Sequence, residues 1–160
     1  MTPAVVALLG LLAWSDVPDC GDNASTRTVI GAQPIASRLY QNLQNIESGA
    51  WRDGTFHTER FDYIGTLLSK RSTKYVGYLV TTWGAACRAT VRVVFFDEDY
   101  WPIGQYGGLP MIKPSIEGDS LVWKGDGFAE HVDLTEGLPT EIFVDGITYR
   151  FSTPSQIHVQ

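Results

Sequence analysis

The sequence predicts an α+β fold in which one amphipathic helix packs on a curved antiparallel sheet or small β-barrel of seven to eight strands. Three observations lead to this prediction. Residues 33–48 carry apolar side chains at helical spacing. Short strand-like segments separated by turn residues fill most of the chain after them. Near the end, Asp145-Gly146 lies between two β-type runs, which is a strong hairpin signal. A single helix of this kind normally buries its apolar stripe against a sheet.

The predicted helix is the segment QPIASRLYQNLQNIES, residues 33–48. Its apolar stripe consists of Ile35, Leu39, Leu43 and Ile46. Pro34 suits the first turn because its φ angle is already helical and its missing N–H group is not needed there. Gly49 suits the C-terminal cap, where a left-handed residue often ends a helix.

Three strands are predicted in the first half, at residues 61–68, 75–83 and 86–96, with a basic polar turn at residues 70–74. Residues 75–83 are apolar or aromatic on both faces, which is typical of a central strand. In the third strand, polar and apolar residues alternate. The polar face has Arg88, Thr90 and Arg92, and the apolar face has Cys87, Ala89, Val91 and Val93.

In the second half of the chain, the sequence predicts a turn at residues 97–100 followed by five further strands. They are expected at residues 101–106, 120–124, 128–134, 141–144 and 147–151. Gly107-Gly108 is expected to end the first of them, and residues 109–119 are expected to form a loop.

Residues 1–15 are predicted to be a signal peptide and residues 16–160 a single mostly-β domain. Residues 4–14 are apolar throughout, which is too short for a membrane-spanning helix of about twenty residues but typical of a signal peptide. Ala13 and Ser15 are small residues at the positions that a signal peptidase reads, so cleavage is expected before Asp16. The expected location is then periplasmic or extracellular, with no membrane anchor after cleavage. The alternative is a buried N-terminal helix or strand of a cytosolic domain.

The chain has two cysteines, Cys20 and Cys87. In an oxidising compartment an even number indicates a disulfide, which here would join the N-terminal segment to a sheet strand. The alternative is a small buried side chain at Cys87 and a free thiol at Cys20. Because neither a CxxC pair nor a Cys/His cluster is present, no metal and no cofactor is predicted.

The charges are distributed unevenly. Residues 16–96 contain 7 acidic and 9 basic residues, a balance of +2, whereas residues 97–160 contain 11 acidic and 3 basic residues, a balance of −8. An acidic half repels nucleic acid and anionic membranes and favours a cationic partner. The basic residues Lys70, Arg71 and Lys74 lack interleaved aromatic residues, so nucleic-acid binding is not predicted.

The segment FFDEDYW, residues 95–101, is the strongest candidate for a binding site. Its predicted binding residues are Asp97, Glu98, Asp99, Tyr100 and Trp101. Adjacent carboxylates steer a cationic partner, and Tyr and Trp are common anchors at protein interfaces. A calcium loop is not favoured, because Pro102 and Gly108 stand where such a loop has glycine and glutamate. The remaining alternative is a solvated hairpin tip.

An enzyme is the less favoured interpretation. It would use His57 with Glu59, or His131, as a His/carboxylate pair in the concave face of the sheet. His131 follows Glu130, but adjacent strand residues point to opposite faces. Residues 118–121, GDSL, match the nucleophile block of GDSL-type hydrolases, but only 40 residues follow Ser120 and the usual Asp-x-x-His pair is absent. We interpret Ser120 as a turn residue.

These features favour a small, acidic, exported binding protein without catalytic activity. An inhibitor or immunity protein that blocks a cationic hydrolase or toxin would suit the negative charge and the aromatic-acidic turn. The alternative is a small hydrolase or ligand-binding enzyme.

Overall fold

One helix and ten strands make up the described part of this computed structural model, which covers residues 28–46, 56–69, 72–83 and 88–154. In chain order the elements are β1 (Val29–Ile30), α1 (Pro34–Gln44), β2 (Phe56–Ser69), β3 (Ser72–Trp83), β4 (Arg88–Phe96), β5 (Pro102–Leu109), β6 (Ser115–Glu117), β7 (Ser120–Gly125), β8 (Phe128–Asp133), β9 (Glu141–Val144) and β10 (Ile147–Ser152). The mixed α+β class predicted from the sequence is therefore confirmed.

Helix α1 begins where the sequence predicts but ends earlier. Pro34 occupies the first turn, and Gln33 precedes it in an extended conformation. The helix ends at Gln44, with Asn45 as its C-terminal cap. The N–H of Asn45 is shared between the carbonyls of Gln41 and Asn42, both at 3.2 Å, so the last turn is tightened. The predicted cap Gly49 lies outside the described residues.

The larger sheet has seven strands in the order β1-β2-β3-β4-β5-β10-β9. Strand β1 runs parallel to β2, and the other neighbours are antiparallel. The β2–β3 hairpin is long, with pairs from Phe56 and Trp83 to Ser69 and Ser72. Two irregularities in β2, after Thr58 and after Tyr63, break its register. Bulges of this kind bend a strand and increase its twist.

The predicted alternative of a closed β-barrel is wrong. Strands β1 and β9 form the two ends of the seven-stranded sheet, and a second sheet of three strands, β6-β7-β8, is separate from it. The described residues also contain more strands than the seven to eight expected. The three-stranded sheet covers one face of the larger sheet. The apolar side chains of that face are therefore buried by packing between two sheets and not by closure of one sheet into a barrel.

Three local predictions need correction. The residues Thr73 and Lys74 belong to β3 and not to a turn, because the hairpin pairing extends to Ser72. Strand β5 continues through the two glycines to Leu109, which is buried in the core. The predicted loop at residues 109–119 contains β6, whose Ile116 packs against the core.

The large sheet has a hydrophobic cluster on each face. On one face, the side chains of Val91, Val93 and Phe95 pack with Trp123 from the small sheet and with Val144 from β9. On the other face, α1 covers a smaller cluster. Its fully or nearly buried members are Ala36, Leu39, Tyr40, Leu43, Phe61, Leu79, Val94 and Phe96. Residues 75–83 therefore contribute to both clusters, as expected of a central strand.

Candidate functional site

The turn between β4 and β5 is closed by hydrogen bonds around Asp97. The backbone N–H of Asp97 donates to the carbonyl of Trp101 at 2.9 Å, and the N–H of Tyr100 donates to the carbonyl of Asp97 at 3.0 Å. The Oδ1 atom of Asp97 accepts hydrogen bonds from the N–H groups of Asp99, at 3.0 Å, and Trp101, at 2.8 Å. Aspartate commonly organises turns in this way. The Asp97 carboxylate therefore holds the turn together.

Tyr100 docks the turn onto α1 and β3. Its φ angle is +67°, in the left-handed region that non-glycine residues seldom adopt. Its ring centroid lies 4.7 Å from that of Tyr75, and the guanidinium carbon of Arg38 lies 4.2 Å from the same ring. Its carbonyl accepts a hydrogen bond from Nδ2 of Asn42 at 2.9 Å. A hydrogen bond with Tyr100, together with burial, raises the pKa of the Tyr75 hydroxyl.

The turn presents Glu98, Asp99 and Trp101 at the surface. Both carboxylate residues are exposed, and the Trp101 side chain is 48% exposed. Glu98 also accepts a hydrogen bond from the backbone N–H of Thr73 at 3.0 Å, which ties the turn to the start of β3. The structure thus divides the five predicted binding residues into two that shape the turn, Asp97 and Tyr100, and three that a partner can contact.

This arrangement is suited to binding a cationic surface. The indole supplies a large apolar contact with few rotatable bonds, and the two carboxylates supply negative charge beside it. Because internal contacts already hold the turn, little conformational entropy is lost when a partner binds.

We expect Asp97→Ala to lower the free energy of unfolding by about 2 kcal/mol, because two backbone N–H groups lose a charged acceptor. Urea denaturation measures the change. The matched control is Asp99→Ala in the same turn, whose exposed side chain is expected to change stability by less than about 0.5 kcal/mol. Equal effects of the two substitutions would contradict the structural role given to Asp97.

The histidines and Glu59 of the enzyme alternative lie on two sheets. His57 is in β2 opposite Thr82 near one end of the β2–β3 hairpin, and the Thr82 hydroxyl donates to Oε1 of Glu59 at 2.9 Å. The Nε2 atom of His57 is buried and has no hydrogen-bond partner in the described part of the chain. His131 is exposed in β8 of the small sheet. His57 and Glu59 therefore both belong to β2 of the large sheet, whereas His131 is in the small sheet.

Ser120 begins β7 and pairs with Glu117 across a two-residue turn. Gly118 in this turn has a φ of +61°, which suits glycine. Within the segment GDSL, Gly118 and Asp119 therefore form a β-hairpin turn, and Ser120 and Leu121 are the first residues of β7. The interpretation of Ser120 as a turn residue is thus wrong by one position, because its pairing with Glu117 places it in the strand.

Sequence analysis missed a group of buried polar side chains on the helix-facing side of the large sheet. Thr81, Arg92 and Gln105 are 4%, 8% and 6% exposed. Burial lowers the pKa of the Arg92 guanidinium. The alternation in β4 placed Arg92 on a polar face, but a single strand does not show which neighbours cover that face.

Several predicted features lie outside the described residues: the signal peptide at residues 1–15, both cysteines of the predicted disulfide, Cys20 and Cys87, and the basic residues Lys70 and Arg71. Within the described ranges, no group of three His, Cys, Asp or Glu side chains is placed to hold a metal ion. The one helix described, α1, is too short to cross a membrane.

Comparisons of the chain with protein-family models, with curated proteins and with solved structures found no match.

Proposed function

We propose that the protein is a non-catalytic binding protein that recognises a cationic protein partner through the turn of residues 97–101. In this proposal it is exported to the periplasm or extracellular space. There it acts as an inhibitor or immunity protein that blocks a cationic hydrolase or toxin.

The observation that carries the proposal is the exposed Trp101 beside Glu98 and Asp99 on a turn held by internal contacts. Large aromatic side chains contribute strongly to binding when a partner covers them. The negative balance of residues 97–160 adds long-range attraction for a positively charged surface. Export is supported by the apolar, uncharged segment at residues 4–14. A disulfide between Cys20 and Cys87 belongs to the same proposal.

We expect Trp101→Ala to weaken partner binding about tenfold or more, because the indole is the largest exposed apolar group in the turn. The measurement is retention of proteins from the native periplasmic or extracellular fraction on the immobilised chain at low salt, followed by titration of the retained protein. Asp99→Asn is expected to slow association and to reduce its dependence on salt.

Two control variants match these changes elsewhere on the surface. Phe143→Ala removes an exposed aromatic side chain from β9, and Asp126→Asn removes an exposed carboxylate from the β7–β8 turn. Both are expected to leave binding unchanged. If Trp101→Ala and Phe143→Ala bind the retained protein equally well, or if nothing is retained at low salt where electrostatic attraction is strongest, the proposal is wrong.

A further inference from the structure

Strand β9 forms an open edge of the seven-stranded sheet. On one side it pairs with β10 in four consecutive residue pairs without a bulge, and no strand in the described part of the chain pairs with its other side. The opposite edge of the sheet, β1, has only two residues. Proteins commonly protect an open edge with a bulge, a proline or a charge, because the edge can otherwise pair with another chain. Strand β9 has neither a bulge nor a proline.

The backbone groups of Glu141 and Phe143 point away from β10. Thr140, the residue before β9, accepts a hydrogen bond from the N–H of Phe151 in β10 at 2.8 Å, so its carbonyl points towards β10. This direction alternates from residue to residue along an antiparallel strand, and the two-residue turn after Val144 requires the same alternation. The N–H and C=O groups of Glu141 and Phe143 are therefore directed to the open side. Within the described ranges, none of them has a backbone hydrogen-bond partner.

The side chains of β9 also leave this edge accessible. Phe143 is 57% exposed, whereas Ile142 and Val144 on the opposite face are buried in the core. Glu141 is the one charged residue of β9, and its Oε1 atom accepts a hydrogen bond from Nε of Arg150 at 2.9 Å. Because the guanidinium offsets the charge of this carboxylate within the hairpin, Glu141 opposes pairing with another strand less than an unpaired charge would.

We propose that β9 pairs antiparallel with β9 of a second copy of this chain, about a twofold axis that places Ile142 opposite Ile142. In this register Glu141 of each copy lies opposite Phe143 of the other, so the outward N–H and C=O groups of both strands are all hydrogen-bonded. The two Ile142 side chains meet on the core face, and no like charges lie directly opposite each other. A register centred on Phe143 would instead place Glu141 opposite Asp145 of the turn, which has the same charge.

A second copy is the occupant that β9 itself indicates, because the strand is complementary to itself in this register. The paired segment is short, so the buried area is at the low end for protein interfaces and the dimer is weak, with a dissociation constant on the order of 100 µM. The turn of residues 97–101 contacts α1 and β3, whereas β10 separates β9 from β5. The dimer therefore does not depend on the proposed partner-binding turn.

Sedimentation equilibrium of the full chain tests the proposal, over concentrations from about tenfold below to about tenfold above that dissociation constant. Each copy has a net charge of −6, so added salt is expected to strengthen the dimer, whereas it weakens binding of a cationic partner. Amide hydrogen exchange is a second measurement that needs no substitution. Protection of the Phe143 N–H is expected to rise with protein concentration much more than that of the Ile142 N–H, which already donates to β10.

Variants at Phe143 separate backbone pairing from apolar association. Phe143→Pro removes an outward N–H group without removing a hydrogen bond to β10, and is expected to weaken the dimer about tenfold or more. Phe143→Thr keeps that N–H group and is expected to weaken the dimer less than about threefold. Met111→Ala removes an exposed apolar side chain elsewhere and is expected to have no effect.

The proposal is overturned if no dimer forms at the highest concentration, or if Phe143→Pro and Phe143→Thr dimerise equally well. It is also overturned if Met111→Ala weakens the dimer as much as Phe143→Pro, or if protection of the Phe143 N–H does not depend on concentration. The exchange measurement on the unmodified chain decides the question if Phe143→Pro does not fold.

Discussion

Replacing Phe61 with alanine is expected to lower the free energy of unfolding by about 3–5 kcal/mol, since the change leaves a cavity between α1 and the sheet. The Phe61 side chain is fully buried. Its ring centroid lies 5.5 Å from that of Tyr40 in α1 and 6.1 Å from that of Phe96, edge to face. Gly77 on the neighbouring strand makes room for the ring, because a Cβ atom there would lie 2.6 Å from it. Urea denaturation monitored by circular dichroism measures the loss.

The matched control is Phe143→Ala, which removes the same side chain from β9, where it is 57% exposed. We expect this change to cost less than about 1 kcal/mol. Phe61→Leu keeps most of the volume and is expected to fall between the two. If Phe61→Ala is no more destabilising than Phe143→Ala, α1 is not packed on β2 as described.

Gly104→Ala is expected to destabilise the fold by about 1–3 kcal/mol through overpacking. A Cβ atom at this position would lie 2.5 Å from Cε1 of Phe151 and 2.7 Å from the backbone oxygen of Ser152. The Phe151 ring also packs against Phe95 and Tyr106, so it has little freedom to move away. The Ser152 backbone is held by its pairing with Gln105. Thermal and urea unfolding both measure the effect.

Gly107→Ala in the same strand is the control for Gly104→Ala. Its new Cβ atom would have only one neighbour within 4 Å, at 3.9 Å. Alanine also reduces the entropy of the unfolded chain, so this substitution is expected to be neutral or to stabilise by up to about 1 kcal/mol. The same change from glycine to alanine is thus predicted to destabilise the fold at position 104 of β5 but not at position 107. Similar destabilisation at both would show that β5 is sensitive to loss of glycine in general, and the close packing of β5 against β10 would be disproved.

Much of the fold was predictable because its signals are local. The two strands of the hairpin around Asp145-Gly146 begin at the residues that the sequence predicts. Both turn residues adopt the positive φ angles that this type of turn requires. The Pro34 start of α1 also follows from the conformation of one residue. Strand β6 was missed because three residues at a sheet edge have too short a pattern to distinguish them from a loop.

The sequence identified residues 97–101 as a candidate binding segment, but it did not show which of these residues shape the turn and which are exposed at the surface. The turn predicted at residues 97–100 is present but extends to Trp101, because β5 begins at Pro102 and not at Trp101. The sequence does not distinguish the structural Asp97 from the exposed Asp99, since both are aspartates two positions apart. That difference depends on which backbone N–H groups the folded turn directs towards each carboxylate. The role of Tyr100 depends on Arg38 and Asn42, which are about sixty residues away in the chain.

The α+β class, the amphipathic helix α1, the alternating strands, the acidic turn and the negative second half of the chain are all readable from the amino-acid sequence. These properties depend on side-chain type and short-range periodicity, which are present before the chain folds. The fold alone shows that the large sheet is open, that a second sheet covers one of its faces, and that Thr81, Arg92 and Gln105 are each buried. These features depend on contacts between strands that are far apart in the chain. The free energy of each contact depends on the neighbouring side chains in the sheet, and the residue pattern of one strand does not show which side chains those are.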